Sequence, residues 1–188
     1  MKDESRKIIY DTEEDYYALM DGRRHELING IIYDMASPGS IHQLISGHLF
    51  HAIFSHILEN GGPCKVFYAP YDVKLFPDED GNIVQPDLLV VCDPKKIRTN
   101  RLEGAPDWII EIASKSSLSH DYVTKLNLYK EAGVREYWIV DPDKSKIHVF
   151  KLESEEFSVD CFTFDDTVES GILPGLNLDF KAISDSIG

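Results

Sequence analysis

Two acidic residues stand where packing alone does not put them. In Pro86-Asp87-Leu88-Leu89-Val90-Val91 a carboxylate leads directly into an apolar strand. In Asp107-Trp108-Ile109-Ile110-Glu111-Ile112-Ala113 strand alternation sets Glu111 on the face shared by Ile109 and Ala113. A partly buried carboxylate needs a cation or a hydrogen-bond partner. Two carboxylates on neighbouring strands make a site for a hard divalent cation such as magnesium, which takes oxygen ligands and keeps several waters. By themselves the two are equally well explained as unrelated surface acids near strand ends, because perturbed acids also serve structure. The loop between the two strands reads Lys95-Lys96-Ile97-Arg98-Thr99-Asn100-Arg101, with four positive charges and no acid.

The elements that must position these groups are legible along the chain. Thr12 followed by Glu13, Glu14 and Asp15 predicts a capped helix running to about Gly22. Asn29-Gly30 between apolar runs predicts a hairpin. After Ser40, the residues Ile41, Leu44, Ile45, Leu49, Ile53 and Ile57 recur at helical spacing as far as Gly61-Gly62. Strands are expected over 66–76, 88–92 and 108–113, with a polar turn over 77–82. A helix over 121–132 ends at Gly133. Strands over 137–140 and 147–152 flank the turn Asp141-Pro142-Asp143, and one or two more follow from 157–164 onward to Phe180. Helices around a mixed sheet give the class α/β or α+β.

Other motifs carry less. His48 and His51 have a spacing zinc could use, but no cysteine or paired acid accompanies them on the helix, so they read as ordinary surface or core histidines. Asp78-Glu79-Asp80-Gly81-Asn82 lacks the glycine and glutamate a calcium loop needs further on, and reads as a solvated turn. Ser114-Lys115-Ser116-Ser117 has no oxyanion hole beside it and reads as a polar loop.

A chain of 188 residues favours one domain, here residues 1–188. Its 19 basic and 33 acidic residues give a net charge of −14, which opposes nonspecific attraction to nucleic acid or to membranes. Any DNA partner must overcome that charge locally. No apolar run approaches the roughly 20 residues that span a bilayer, and the acidic opening of the chain argues against a secretory signal. Cys64, Cys92 and Cys161 are odd in number, too scattered for a disulfide framework, and without a C-x-x-C pair. The compartment they imply is a reducing cytoplasm.

Pro86-Asp87 followed by an acid on the next strand resembles the PD-(D/E)xK signature of restriction-endonuclease-like nucleases. The ordered segments TEEDYYAL, HELINGIIYDM, QPDLLVV, GAPDWIIEIAS and KLNLYKEAGVREYWIVDP are similar to the bacterial Uma-type family of restriction-endonuclease-like proteins, from about Thr12 to Pro142. The resemblance implies a mixed central sheet flanked by helices, magnesium or manganese as cofactor, and DNA as substrate. It implies that Asp87 and Glu111 ligate the metal, with the backbone carbonyl of Ile112 as a third ligand, and that Glu26 is an extra acid from the N-terminal part. The pattern's usual lysine, two residues after the second acid, is replaced here by Ala113. The family often supplies that lysine from the next helix, and Lys125, four residues after Asp121, fits the relocation. His42 matches a position the family often fills with His and is expected near the substrate.

The reaction so implied is phosphodiester hydrolysis, with Lys125 orienting water or stabilising charge on the phosphorane. Tyr122, Val123, Leu126 and Tyr129 are expected to pack the Lys125 helix on the sheet, whereas the competing Lys115 falls in a serine-rich loop that holds it poorly. Lys95, Lys96, Arg98 and Arg101 are expected at the rim of the site, steering the phosphate backbone at low salt. A homodimer suits cutting of both strands. Two other readings compete: a nuclease-fold binding protein that does not cut, and a glycoside hydrolase using Glu26 and Glu111 about 5–10 Å apart.

Overall fold

Asn29 and Gly30 both take positive φ, the geometry of a tight two-residue hairpin turn. They close β1 (His25–Ile28) onto β2 (Ile31–Asp34), as the sequence predicts. The computed structural model describes residues 11–19, 21–114, 120–153 and 158–187, the side chain of His120 excepted. Lys115 and Phe157, on which expectations rest, lie outside the described residues, as does most of the Ser114–Ser117 run.

Before the hairpin, α1 (Glu13–Ala18) is capped reciprocally by Thr12 and Asp15, and Asp80 accepts the Glu13 N–H at 2.7 Å. The helix ends at Ala18, short of Gly22. After the hairpin comes α2 (Ser40–Asn60), then β3 (Lys65–Tyr68), β4 (Asp72–Lys74), β5 (Ile83–Val84), β6 (Leu88–Val91), β7 (Arg101–Glu103) and β8 (Trp108–Ile112). A π-helical turn, His120–Lys125, leads into α3 (Leu126–Ala132), which Gly133 ends with a left-handed cap. The chain closes with β9 (Glu136–Asp141), β10 (Lys146–Lys151), β11 (Ser158–Thr163), β12 (Thr167–Glu169), β13 (Asn177–Asp179) and α4 (Phe180–Ile187).

The single strand expected over 66–76 is broken in two, because Pro70 has no N–H to continue a ladder. The two halves enter different sheets. β3 is the edge of a six-stranded mixed sheet ordered β11-β10-β9-β8-β6-β3, and β4 lies in a five-stranded sheet ordered β2-β1-β5-β4-β7. Alternation along the central strands then divides the core. Leu88, Val90, Trp108, Ile110, Trp138 and Val140 face α2 and α4, while Leu89, Val91, Ile109, Ala113, Tyr137 and Ile139 face α3 and the second sheet. Glu111 shares the second face with Ile109 and Ala113, as alternation predicts.

The antiparallel register of β3 and β6, with Lys65 opposite Val91, sets Cys64 against Cys92, and a disulfide joins them. This corrects the expectation of unpaired thiols: residues 28 apart in sequence become cross-strand neighbours. Among the described residues no helix is long and apolar enough to cross a membrane.

Candidate active site

Antiparallel pairing of β6 with β8 places Leu88 opposite Ile110, so Asp87, just before β6, comes level with Glu111. The Asp87 N–H donates to Glu111 Oε2 at 3.3 Å. Asp87 Oδ2 accepts from the Ile112 N–H at 2.8 Å and lies 2.9 Å from His42 Nε2 at the start of α2. Ile112 thus meets Asp87 through its amide. Lys125, at the end of the π-helical turn, donates from Nζ to Glu26 Oε1 and to Glu111 Oε1, both at 2.9 Å. Asp121 Oδ1 lies 4.0 Å from the same nitrogen. The ammonium is almost completely buried, its side chain 4% exposed. π turns are rare and recur at functional sites. Here the turn carries Asp121 and Lys125 into the face of the sheet that Glu111 shares. Val123 on this turn points outward, 59% exposed, against the expectation that it packs on the sheet.

Two further groups complete the arrangement. The Tyr129 hydroxyl donates to Glu111 Oε1 at 2.9 Å, and the Gln85 N–H donates to Glu26 Oε1 at 2.9 Å. The sequence assigns Tyr129 only to packing, although Asp121, Lys125 and Tyr129 follow one another at intervals of four. Gln85 has no sequence signal beyond its place before Pro86 and Asp87.

The electrostatics of the site are lopsided. Burial pushes the Glu111 carboxyl up to about 8; Lys125 works against this, and Asp87, Asp121 and Glu26 add to it. Burial disfavours the Lys125 ammonium, yet Glu111, Glu26 and Asp121 outweigh it and hold the group above the ordinary lysine value. Burial, reinforced by Glu111, keeps the Tyr129 hydroxyl protonated. One lysine therefore faces four carboxyl groups, and a further positive charge near Asp87 and Glu111 would relieve the excess.

Oxygen atoms for such a cation are available. Glu111 Oε2 takes only the long bond from Asp87 N–H among the described residues, and Asp87 Oδ1 takes none. No group of three or more His, Cys, Asp or Glu side chains is gathered for a metal among the described residues. Magnesium needs no such group, since it binds through one or two carboxylates and keeps its waters. The donor set fits that ion and not zinc. The lysine ammonium fills the space between Glu26 and Glu111, which leaves no sugar-sized gap between them.

Removing the Tyr129 hydroxyl isolates its contribution. Tyr129→Phe leaves Glu111 Oε1 with Lys125 alone and, above about pH 8 where that carboxyl is ionised, costs about 1.5–3 kcal/mol, as for a buried hydrogen bond to a charged acceptor. Urea unfolding of the two proteins measures it.

The basic loop does not come to the acids. It leaves β6 at Val91 and enters β8 at Trp108, the opposite end of both strands from Asp87 and Glu111, because an antiparallel pair has its connection at one end only. Lys96 donates to the Ala105 carbonyl, Arg98 pairs with Glu103, and Arg101 pairs with Glu13 and Glu103. Lys95 is exposed in the 3-10 turn Pro94–Lys96. The rim position expected for these four residues is thereby corrected. His42, in contrast, stands beside Asp87.

No curated protein matches the chain. Among solved structures, "Crystal structure of a putative nuclease belonging to DUF820 from Anabaena variabilis ATCC 29413" is similar, with a TM-score of 0.75 and 21% identity over 93% of this chain and 97% of that one. That likeness concerns the fold: a mixed sheet flanked by helices. The family model Uma2, described as "Putative restriction endonuclease", matches residues 13–181, nearly the full length. Those residues contain every group of the cluster, from Glu26 to Tyr129, and the chain belongs to the Uma2 family.

Proposed function

We propose that the chain is a metal-dependent endodeoxyribonuclease, carried by one restriction-endonuclease-like domain over residues 1–188. The observation that carries this reading is the Lys125 ammonium held 2.9 Å from both Glu26 and Glu111, with Asp87 on the adjoining strand. Family membership supports a nuclease and DNA as its substrate.

Asp87 and Glu111, with the Ile112 carbonyl, would hold magnesium or manganese, which when bound supplies Lewis-acid polarisation of the scissile phosphate and an activated water. The chain's own residues do the rest. Lys125, fixed by two carboxylates, keeps a full positive charge beside the acids, where negative charge builds on the phosphorane. Glu26 holds that ammonium in place and is itself held by the Gln85 N–H. Tyr129 fixes the Glu111 carboxylate through Oε1, and Oε2, which takes only the long bond from the Asp87 N–H among the described residues, would ligate. His42 and the Ile112 N–H fix Asp87 in the same way. His42 is also more exposed than Asp87, Glu111, Glu26 or Lys125, so an incoming strand meets it first.

The test is a titration of magnesium or manganese against single- and double-stranded DNA, with cleavage followed on a gel. Cleavage that requires the metal and stops with a chelator is the expected result. DNA binding without cleavage at any metal concentration would make the chain a nuclease-fold binding protein, the reading that Ala113 in the usual lysine position favours.

A further inference from the structure

One helix of this fold is apolar on both sides. α2 buries Ile45, Leu49, Ile53 and Ile57 against the six-stranded sheet. Its outer side nevertheless exposes Ile41, Leu44, Phe54 and Leu58, at 54%, 46%, 43% and 66%. A helix apolar all round belongs in an interior. It is also almost uncharged: between Ser40 and Asn60 the sole charged residue is Glu59, in a chain of net charge −14. Two copies of so acidic a protein repel each other over most of their surfaces. The outer face of α2 is where they can approach without that penalty.

The spacing of this face identifies what covers it. Leu44, Gly47, His51, Phe54 and Leu58 follow at intervals of three, four, three and four, the seam along which helices pack at a shallow angle. The stripe is self-complementary when reversed. With a two-fold axis at His51, Leu44 faces Leu58 of the second copy, and Gly47 comes beside the second copy's Phe54. Gly47 is a glycine in a helix interior, where it weakens the helix relative to alanine. A Cβ built on it meets nothing within 4 Å, so no neighbour among the described residues explains it. A ring from the facing helix fills that space. Phe54 is held for the purpose, stacked on Phe50 at 5.7 Å, and Phe50 in turn meets Tyr68 of the edge strand β3 edge-on at 4.9 Å. A helix of this length extends about 31 Å, long enough for the whole seam.

We propose that α2 packs antiparallel against α2 of a second copy of this chain, through Leu44, Gly47, His51, Phe54 and Leu58. An unrelated partner requires no reversal symmetry in the stripe. A second copy does, since an isologous contact uses the same patch twice.

The experiment is sedimentation equilibrium of the full chain, free of DNA and added metal, over a range of concentrations reaching tens of micromolar. The wild type is expected at twice the 21.4 kDa chain mass. Phe54→Lys and Leu58→Lys, both on exposed side chains outside the candidate site, weaken association at least tenfold with an unchanged circular dichroism spectrum. Gly47→Gln separates pairing from folding. It raises the melting temperature of the monomer through helix propensity and still weakens association, because it fills the space needed by Phe54. Val159→Lys, an exposed apolar residue on β11, leaves the dimer intact. A wild type that stays monomeric throughout the range overturns the proposal and leaves the stripe to another kind of partner. A dimer that Gly47→Gln and Phe54→Lys do not weaken overturns it as well, and neither result bears on whether the chain cuts DNA.

Discussion

On the proposed reaction, replacing Lys125 by Met is expected to lower DNA cleavage by a factor of at least about 100–1,000, the effect of removing one preorganised charge from a transition state. It also lowers stability by about 3–5 kcal/mol, because Glu26 and Glu111 are left buried with no cation between them. The two effects are separable. The triple variant Glu26→Gln/Glu111→Gln/Lys125→Met removes Lys125 together with the two carboxylates it bonds, leaves Asp121 buried, and recovers part of the stability, since replacing bonded partners together is milder than removing one. It recovers no cleavage. Urea unfolding gives the stabilities, and cleavage of labelled DNA gives the rates. Lys115→Ala serves as the comparison: Lys125 is wrongly assigned if that variant is dead while Lys125→Met still cuts.

If the proposed metal site is right, Asp87→Asn and Glu111→Gln are each expected to lower the affinity for magnesium or manganese by at least about 100-fold. Loss of a group that merely hydrogen-bonds a metal ligand already costs about 10–100-fold, and these two residues are the proposed ligands themselves. Both variants keep the shorter local hydrogen bonds, and Glu111→Gln loses only the 3.3 Å one that Oε2 accepts from the Asp87 N–H. The amide of Asp87→Asn retains an oxygen for the Ile112 N–H, and the amide of Glu111→Gln retains one for Lys125 and Tyr129. Isothermal calorimetry on the folded variants measures the loss. Unchanged affinity in both would falsify the shared metal site and with it the proposed reaction.

Features set by neighbours in sequence are legible from the sequence alone. Asn29-Gly30 announces its hairpin because few other residue pairs accept two consecutive positive φ angles. The apolar spacing of α2 and its closing glycines determine a helix ending at Asn60. Alternation along β8 puts Glu111 on the correct face of the sheet. Its place before an apolar strand singles out Asp87, while resemblance supplied Glu26, Lys125 and the metal-binding roles. The fold class, read from helices around a mixed sheet and from the resemblance, is borne out by the mixed sheets and flanking helices.

What the tertiary structure decided was every relation between distant segments. Lys125 and Glu26 are 99 residues apart and share a hydrogen bond, and Arg101 finds its acid 88 residues back at Glu13. A run of basic residues therefore looks free to meet phosphate in the sequence, yet folding puts it at the wrong end of the strands and brings its two arginines to the chain's own carboxylates. Cys64 and Cys92 become partners through strand register, and the strand over 66–76 is divided between two sheets at Pro70. Tyr129 passes for a packing residue because its ring does pack, while its hydroxyl reaches an acid on another strand. Local propensity is written in the period of a segment and its caps, so one sequence is enough to read it. The pairing of buried charges depends on which strands become neighbours, and that is set by the packing of the whole core.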